Sequence, residues 1–197
     1  MKLQTFFLCL VLIIIGNANA NSFPPALIEA NTLFDLASQG DAASVEPALN
    51  AYKNLSLDQT LQVFVRCRMG SLVSMQARDA WTPWNKMRYA EQGLDLIDQA
   101  LELLTNADQQ KIFDDITITQ HTQLTAAITF TSLPKFFKRW SQAEYLFKSI
   151  VSNKQFEKSP LAFQQLVWTQ RANLALQRGQ NEQSKQWQYN AERIARK

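Results

Sequence analysis

His121 is the chain's single histidine, and Cys67 is one of two cysteines, the other being Cys9 in an apolar N-terminal run. A zinc or haem site needs several converging ligands. One His and one Cys in separate apolar segments are too few to suggest one. A Ser-His-Asp or Cys-His relay would have to use the same His121, and no nucleophile elbow stands near it. Neither a P-loop nor a G-x-G-x-x-G fingerprint occurs. Two carboxylate pairs remain, Asp95 with Asp98 and Asp114 with Asp115. Carboxylates held across a sugar do glycoside chemistry, but pairs on helix surfaces usually stay solvated. The expectation is a chain with no catalytic residues, no cofactor and no metal. Cys67 lies in a helical apolar run, as a small buried hydrophobe does.

The elements that would position these groups begin after a targeting segment. Lys2 precedes an apolar run from Leu3 to Ile15, too short for a membrane span, and Ala18-Asn19-Ala20 fits an A-x-A cleavage site. Residues 1–20 are therefore expected to be a signal peptide, and residues 21–197 a single domain, periplasmic or secreted. Cys9 lacks the small residues that precede a lipoprotein cysteine. With Cys67 alone in the mature chain, no internal disulfide can form despite an oxidising compartment. Gln is about as frequent as Lys and Arg together, while Gly and Pro are scarce. That composition suits helices with polar outer faces.

Taken in order, the chain predicts helices over roughly 26–38, with Ile28, Leu33 and Leu36 inward, and 42–54, with Val45, Leu49 and Tyr52 inward. Gly40-Asp41 forms the turn between them. A third helix over 59–80 is apolar on two sides, so it should pack between neighbours. Gly70 within it implies a close helix approach. Pro83 ends that helix, because it disfavours helical geometry at Thr82. A fourth helix over 84–104 repeats Met87, Ala90, Leu94, Ile97, Leu101 and Leu104 at three and four residues. Residues 110–132 are ambiguous. Ile116-Thr117-Ile118-Thr119 alternates as a strand does, yet Ile112, Phe113, Ile116, Gln120, Leu124, Ala127 and Ile128 fit one helical face. A strand with no partner would leave its backbone unpaired, so helix is the expectation. Phe136 and Phe137 should plug a gap between hairpins. Further helices follow from Ala143 to Val151 and from Pro160 onward.

The last stretch, Phe163 to Arg196, contains two amphipathic runs broken at Gly179, which must pack antiparallel. Trp168, Ala172, Gly179, Ser184 and Ala191 fall at the offsets of a 34-residue tetratricopeptide (TPR) unit. In this stretch the chain resembles that family. Ala175, Gln188 and Arg171 depart from its preferred Tyr, aromatic and Leu. Hairpins beginning near positions 24, 58, 108 and 159 extend the resemblance loosely. The resemblance implies an all-α fold of stacked antiparallel helical hairpins, an irregular TPR-like superhelix holding a partner in a concave groove. Candidate protein-binding residues are Arg66, Gln120, Trp168, Arg171, Asn173 and Arg178.

Charge is segregated. Residues 21–134 hold seven basic and thirteen acidic residues, a net of −6. Residues 135–197 hold twelve basic and four acidic, a net of +8. Opposite ends could join two copies head to tail, or the basic end could meet an acidic protein or anionic lipid headgroups. No nucleic-acid motif occurs, and export would keep the chain from nucleic acid. The function expected is a non-catalytic exported scaffold for protein–protein interaction. The alternative is a periplasmic carrier of a small molecule or lipid.

Overall fold

A computed structural model describes residues 24–57 and 59–196; the expected signal peptide and its cleavage site lie outside them. The fold is all-α. Eight helices are described: α1 (Pro25–Ser38), α2 (Val45–Lys53), α3 (Gln59–Asp79), α4 (Pro83–Glu102), α5 (Ile118–Ser132), α6 (Trp140–Ser152), α7 (Leu161–Gln177) and α8 (Asn181–Ala195). A two-residue antiparallel ribbon, β1 (Ile112–Phe113) with β2 (Ile116–Thr117), precedes α5.

Consecutive helices pair as four hairpins, α1 with α2, α3 with α4, α5 with α6, and α7 with α8. First helices also touch one another, α1 with α3, α3 with α5, and α5 with α7. The residues that meet show their sense. On α1 and α3, Asn31 bonds Arg68, and the Ala37 carbonyl accepts from Arg78. On α3 and α5, Cys67 meets Thr122 and Ser71 meets Thr129. Numbers rise together in both cases, so these first helices run parallel.

Local chemistry sets the turns. Gly40 and Gly179 adopt φ of +108° and +74°, the left-handed geometry that ends α1 and α7 and that a side chain would resist. Asp41 then accepts from the Ala43 N–H and starts a single helical turn before α2. Pro83 sits in the first turn of α4, where its missing N–H costs nothing. At the α3–α4 crossing, a Cβ on Gly70 would stand 2.7 Å from the Gly93 carbonyl oxygen and 2.8 Å from Ile97 Cγ1. Only hydrogen at both glycines lets the backbones approach so closely.

The core falls into two large clusters and one small one. Val63, Cys67, Leu94, Ile97, Phe130, Phe147 and Val167 bury its centre, and Leu27, Tyr52, Phe64 and Leu72 its N-terminal end. Three expectations need correction. The inward face of α1 is Leu27, Ala30, Phe34 and Ala37, while Ile28 and Leu36 are exposed. Small residues at 30 and 37 let α1 lie close to its neighbours, and Leu27 and Phe34 fill the space beside them. On α4, Met87 is exposed too, one turn before the buried stripe begins at Ala90. The third correction is the start of α5. Ile116 and Thr117 do form a strand, and its partner is Ile112–Phe113, with Phe113 opposite Ile116 and Ile112 opposite Thr117. The two-residue turn places Asp114 and Asp115 at φ of +50° and +60°, the left-handed pair that matches ribbon twist. Helix then begins at Ile118 behind a capping box, in which the Thr117 hydroxyl accepts from the Gln120 N–H at 3.1 Å and Gln120 Oε1 accepts in return. Of the two adjacent phenylalanines, Phe137 packs on the core and Phe136 is exposed.

Candidate functional site

The first helices carry a row of rings and cations. The Arg68 guanidinium lies over Phe34 at 4.4 Å and over Phe64 at 4.5 Å, while its Nη1 donates to Asn31 at 2.8 Å and to the Tyr52 hydroxyl at 3.2 Å. Phe64 meets Phe113 at a tilt of 44° and His121 edge-on, at centroid distances of 5.5 and 5.4 Å. His121 faces Phe163, which faces Phe156, which faces Trp168. The row ends where Arg171 stacks over Trp187 at 4.0 Å. Aromatic and cation–π contacts of this kind each add about 0.5–2 kcal/mol beyond area burial.

His121 belongs to this row. Its Nε2 lies 2.9 Å from the Phe113 carbonyl oxygen. A carbonyl only accepts, so Nε2 carries the proton and Nδ1 keeps its lone pair. Burial, with Arg68 nearby, pushes the imidazole down to about 3 despite the Phe113 bond. The ring is thus neutral near pH 7 and ties β1 to α5. Burial pushes the Cys67 thiol up to about 12, and its S–H donates to the Thr122 carbonyl. Neither group is poised as a base or nucleophile. Among the described residues, no three His, Cys, Asp or Glu side chains gather as a metal set would need.

The six candidates separate into kinds. Gln120 is fully buried in the capping box. Its Oε1 also accepts from the Thr117 hydroxyl at 3.0 Å. Arg171 is tied down by Glu144 of α6 at 2.6 Å and by the Trp187 ring. Trp168 is partly buried against Phe156. Arg66 reaches back to Gln99 of α4 at 3.2 Å. Asn173 and Arg178 are exposed on α7 and at its C-terminal end. The structure brings Trp168 and Arg171 together and leaves the others apart. The two charge segments also meet inside the fold, where Arg139 holds Asp98 through two bonds of 3.0 and 2.6 Å.

Sequence reasoning named Gln120 but not the cleft it lines, and it missed a second cleft. The first, of about 440 Å³, lies between the β1–β2 turn and the segment before α7, lined by Ile112, Asp115, Thr117, the candidate Gln120, Gln155, Lys158 and Pro160. A second, of about 370 Å³, runs between α4, α5 and α6. Leu101, Leu104, Phe130 and Leu146 give it an apolar floor, and Gln109, Gln123 and Gln142 a rim of amides. The only sequence signal for either was the abundance of Gln, which does not say where it gathers. Asp35 of α1 and Asp114 of the β1–β2 turn both lie within electrostatic reach of Arg68. Desolvation raises the pKa of both carboxyls against the opposing pull of Arg68, and each is raised further by a neighbouring carboxylate.

No family model, curated protein or solved structure matches this chain.

Proposed function

We propose that the protein is a non-catalytic, TPR-like scaffold, exported after cleavage behind Ala20, whose first helices present a face to a segment of a partner protein. The observation that carries this reading is the parallel packing of α1, α3 and α5, with α7 continuing the layer. Parallel first helices in one layer create an extended surface on which each hairpin offers side chains to the same occupant. The neutral His121 and the buried Cys67 thiol fit a framework better than a reaction centre. Among the described residues, no helix is long and apolar enough to cross a membrane. An irregular superhelix is the overall form that goes with this reading.

In-cell crosslinking of the tagged protein, followed by mass spectrometry, tests it. One recurrent protein partner is the expected result; capture of nothing, or of the chain alone, contradicts it. N-terminal sequencing of the product should begin at Asn21. Charge reversal at Arg178, which is exposed, tests whether the partner is acidic. Arg171 is a poorer probe, because reversing it would break the Glu144 pair.

The second reading, a carrier of a small molecule or lipid, is favoured by the two clefts of about 440 and 370 Å³, volumes that suit small ligands. Native mass spectrometry of the purified protein would reveal a retained mass.

A further inference from the structure

Parallel first helices place their C-terminal ends on one edge, with the turns that follow them. The turn between α3 and α4 is the extreme case. Trp81 is 97 % exposed and Trp84 71 % exposed. Both indoles stand clear of the core at the tip of a hairpin. Met87 and Arg88 lie three and four residues beyond Trp84, on the same face of α4. Two exposed tryptophans on one turn contradict the ordinary economy of a surface, since Trp is highly buried on average.

The other turns of that edge repeat the theme. The turn after α5 exposes Phe136 between Lys135 and Lys138. The end of α7 exposes Leu176, two residues before exposed Arg178. Charge agrees with the rings. Of the seven basic residues in the acidic part of the chain, Arg78, Lys86 and Arg88 fall within four residues of Trp81 or Trp84. Several carboxylates on this edge are engaged: Asp79 pairs with Arg78 at 2.8 Å, Glu182 with Lys185 at 2.9 Å, Asp41 caps its own turn, and Glu46 accepts from the Gln76 amide. Lys86, Arg88, Lys135, Lys138 and Arg178 have no ion-pair partner within 4 Å among the described residues.

We infer that this edge is a docking surface for an anionic phospholipid bilayer, with Trp81 and Trp84 entering the headgroup region and the surrounding cations meeting lipid phosphates. Indole is the side chain that settles at the membrane–water boundary, apolar in its body and able to donate from its N–H. Unpaired cations beside it supply attraction to negative lipid. The tip protrudes, whereas a protein hot spot sits at the centre of a packed interface with a sealing rim. Docking by this edge would leave the face of the first helices open to a partner, so the inference stands apart from the scaffold reading.

The test uses the chain from Asn21, which keeps every described residue and removes the apolar N-terminal run. Vesicles of phosphatidylcholine alone and vesicles containing phosphatidylglycerol are compared by co-sedimentation and by Trp emission. The expected result is binding to the anionic vesicles with a blue shift, weakened at least tenfold by Trp81→Ser with Trp84→Ser. Lys86→Glu with Arg88→Glu should weaken it similarly, as should high salt. Brominated lipids should quench the unmodified chain, an arm that does not depend on any variant folding. Absence of binding to anionic vesicles would overturn the inference. So would equal binding to neutral ones, or binding that survives the Trp pair's removal. Loss of a crosslinked protein partner on Trp81→Ser, without any vesicle binding, would assign the tip to a protein instead.

Discussion

The hairpin α7–α8 and the entry to α5 are built by different rules. In α7–α8 the contacts follow helical spacing. Ala172, Ala175, Ser184 and Ala191 are buried where the helices approach, and Ser184 donates to the Ala172 carbonyl at 2.9 Å. Trp187 fills the gap under Arg171. The entry to α5 is held by a ribbon two residues long, a capping box and one imidazole bond. Regular packing spreads its energy over many side chains, whereas the entry concentrates it in a few polar bonds. The first tolerates irregular sequence, and the second depends on individual atoms.

Substitutions should separate the two. Trp187→Ala removes a buried ring and the surface on which Arg171 rests, so it should cost about 3–5 kcal/mol in urea unfolding. His121 gives the next largest effect, through pH. Its folded pKa, about 3, lies below the unfolded value of 6.5. The unfolded chain therefore binds the proton first as pH falls. The stability His121 provides is fully present above pH 6.5 and is lost towards pH 3, by at most about 1.4 kcal/mol per pH unit. The difference between wild type and His121→Phe, followed from pH 7 to pH 4, should show that slope; parallel curves would contradict it.

Smaller effects sharpen the contrast at the entry itself. Thr117→Val keeps the shape but removes the capping oxygen, and should cost about 1–2 kcal/mol. Hydrogen exchange should then quicken at Gln120 and leave α8 unchanged. Asp114→Gly should change stability least, by about 0.5 kcal/mol or less. Relief of a left-handed residue and the added freedom of the unfolded chain nearly cancel there.

The same contrast explains what could be read from the sequence. The α7–α8 hairpin, the Gly40 and Gly179 turns, the Gly70 crossing and the burial of Cys67 all followed from spacing or residue size. Such signals are local, or repeat along one helix. The start of α5 did not follow, because Ile112, Phe113, Ile116 and Gln120 satisfy a helical face while also supplying both strands of the ribbon and its cap. Only the left-handed pair Asp114-Asp115 decides between them, and Asp adopts that geometry without announcing it. The rotation of α1, which exposes Ile28 and Leu36, was set by the fit against its neighbours. Among the candidate residues, Asn173 and Arg178 stand free on the surface. Gln120 Oε1 and Arg171 Nη2 are committed to internal partners that residue type could not reveal.

The scaffold account turns on which face meets a partner. A photo-crosslinking residue placed singly at Asp35 and Asn173, on first helices, should capture the same protein in cells, while placement at Glu102 and Gln186, on second helices, should capture none. Capture from the second helices alone, or from no position, would contradict the account.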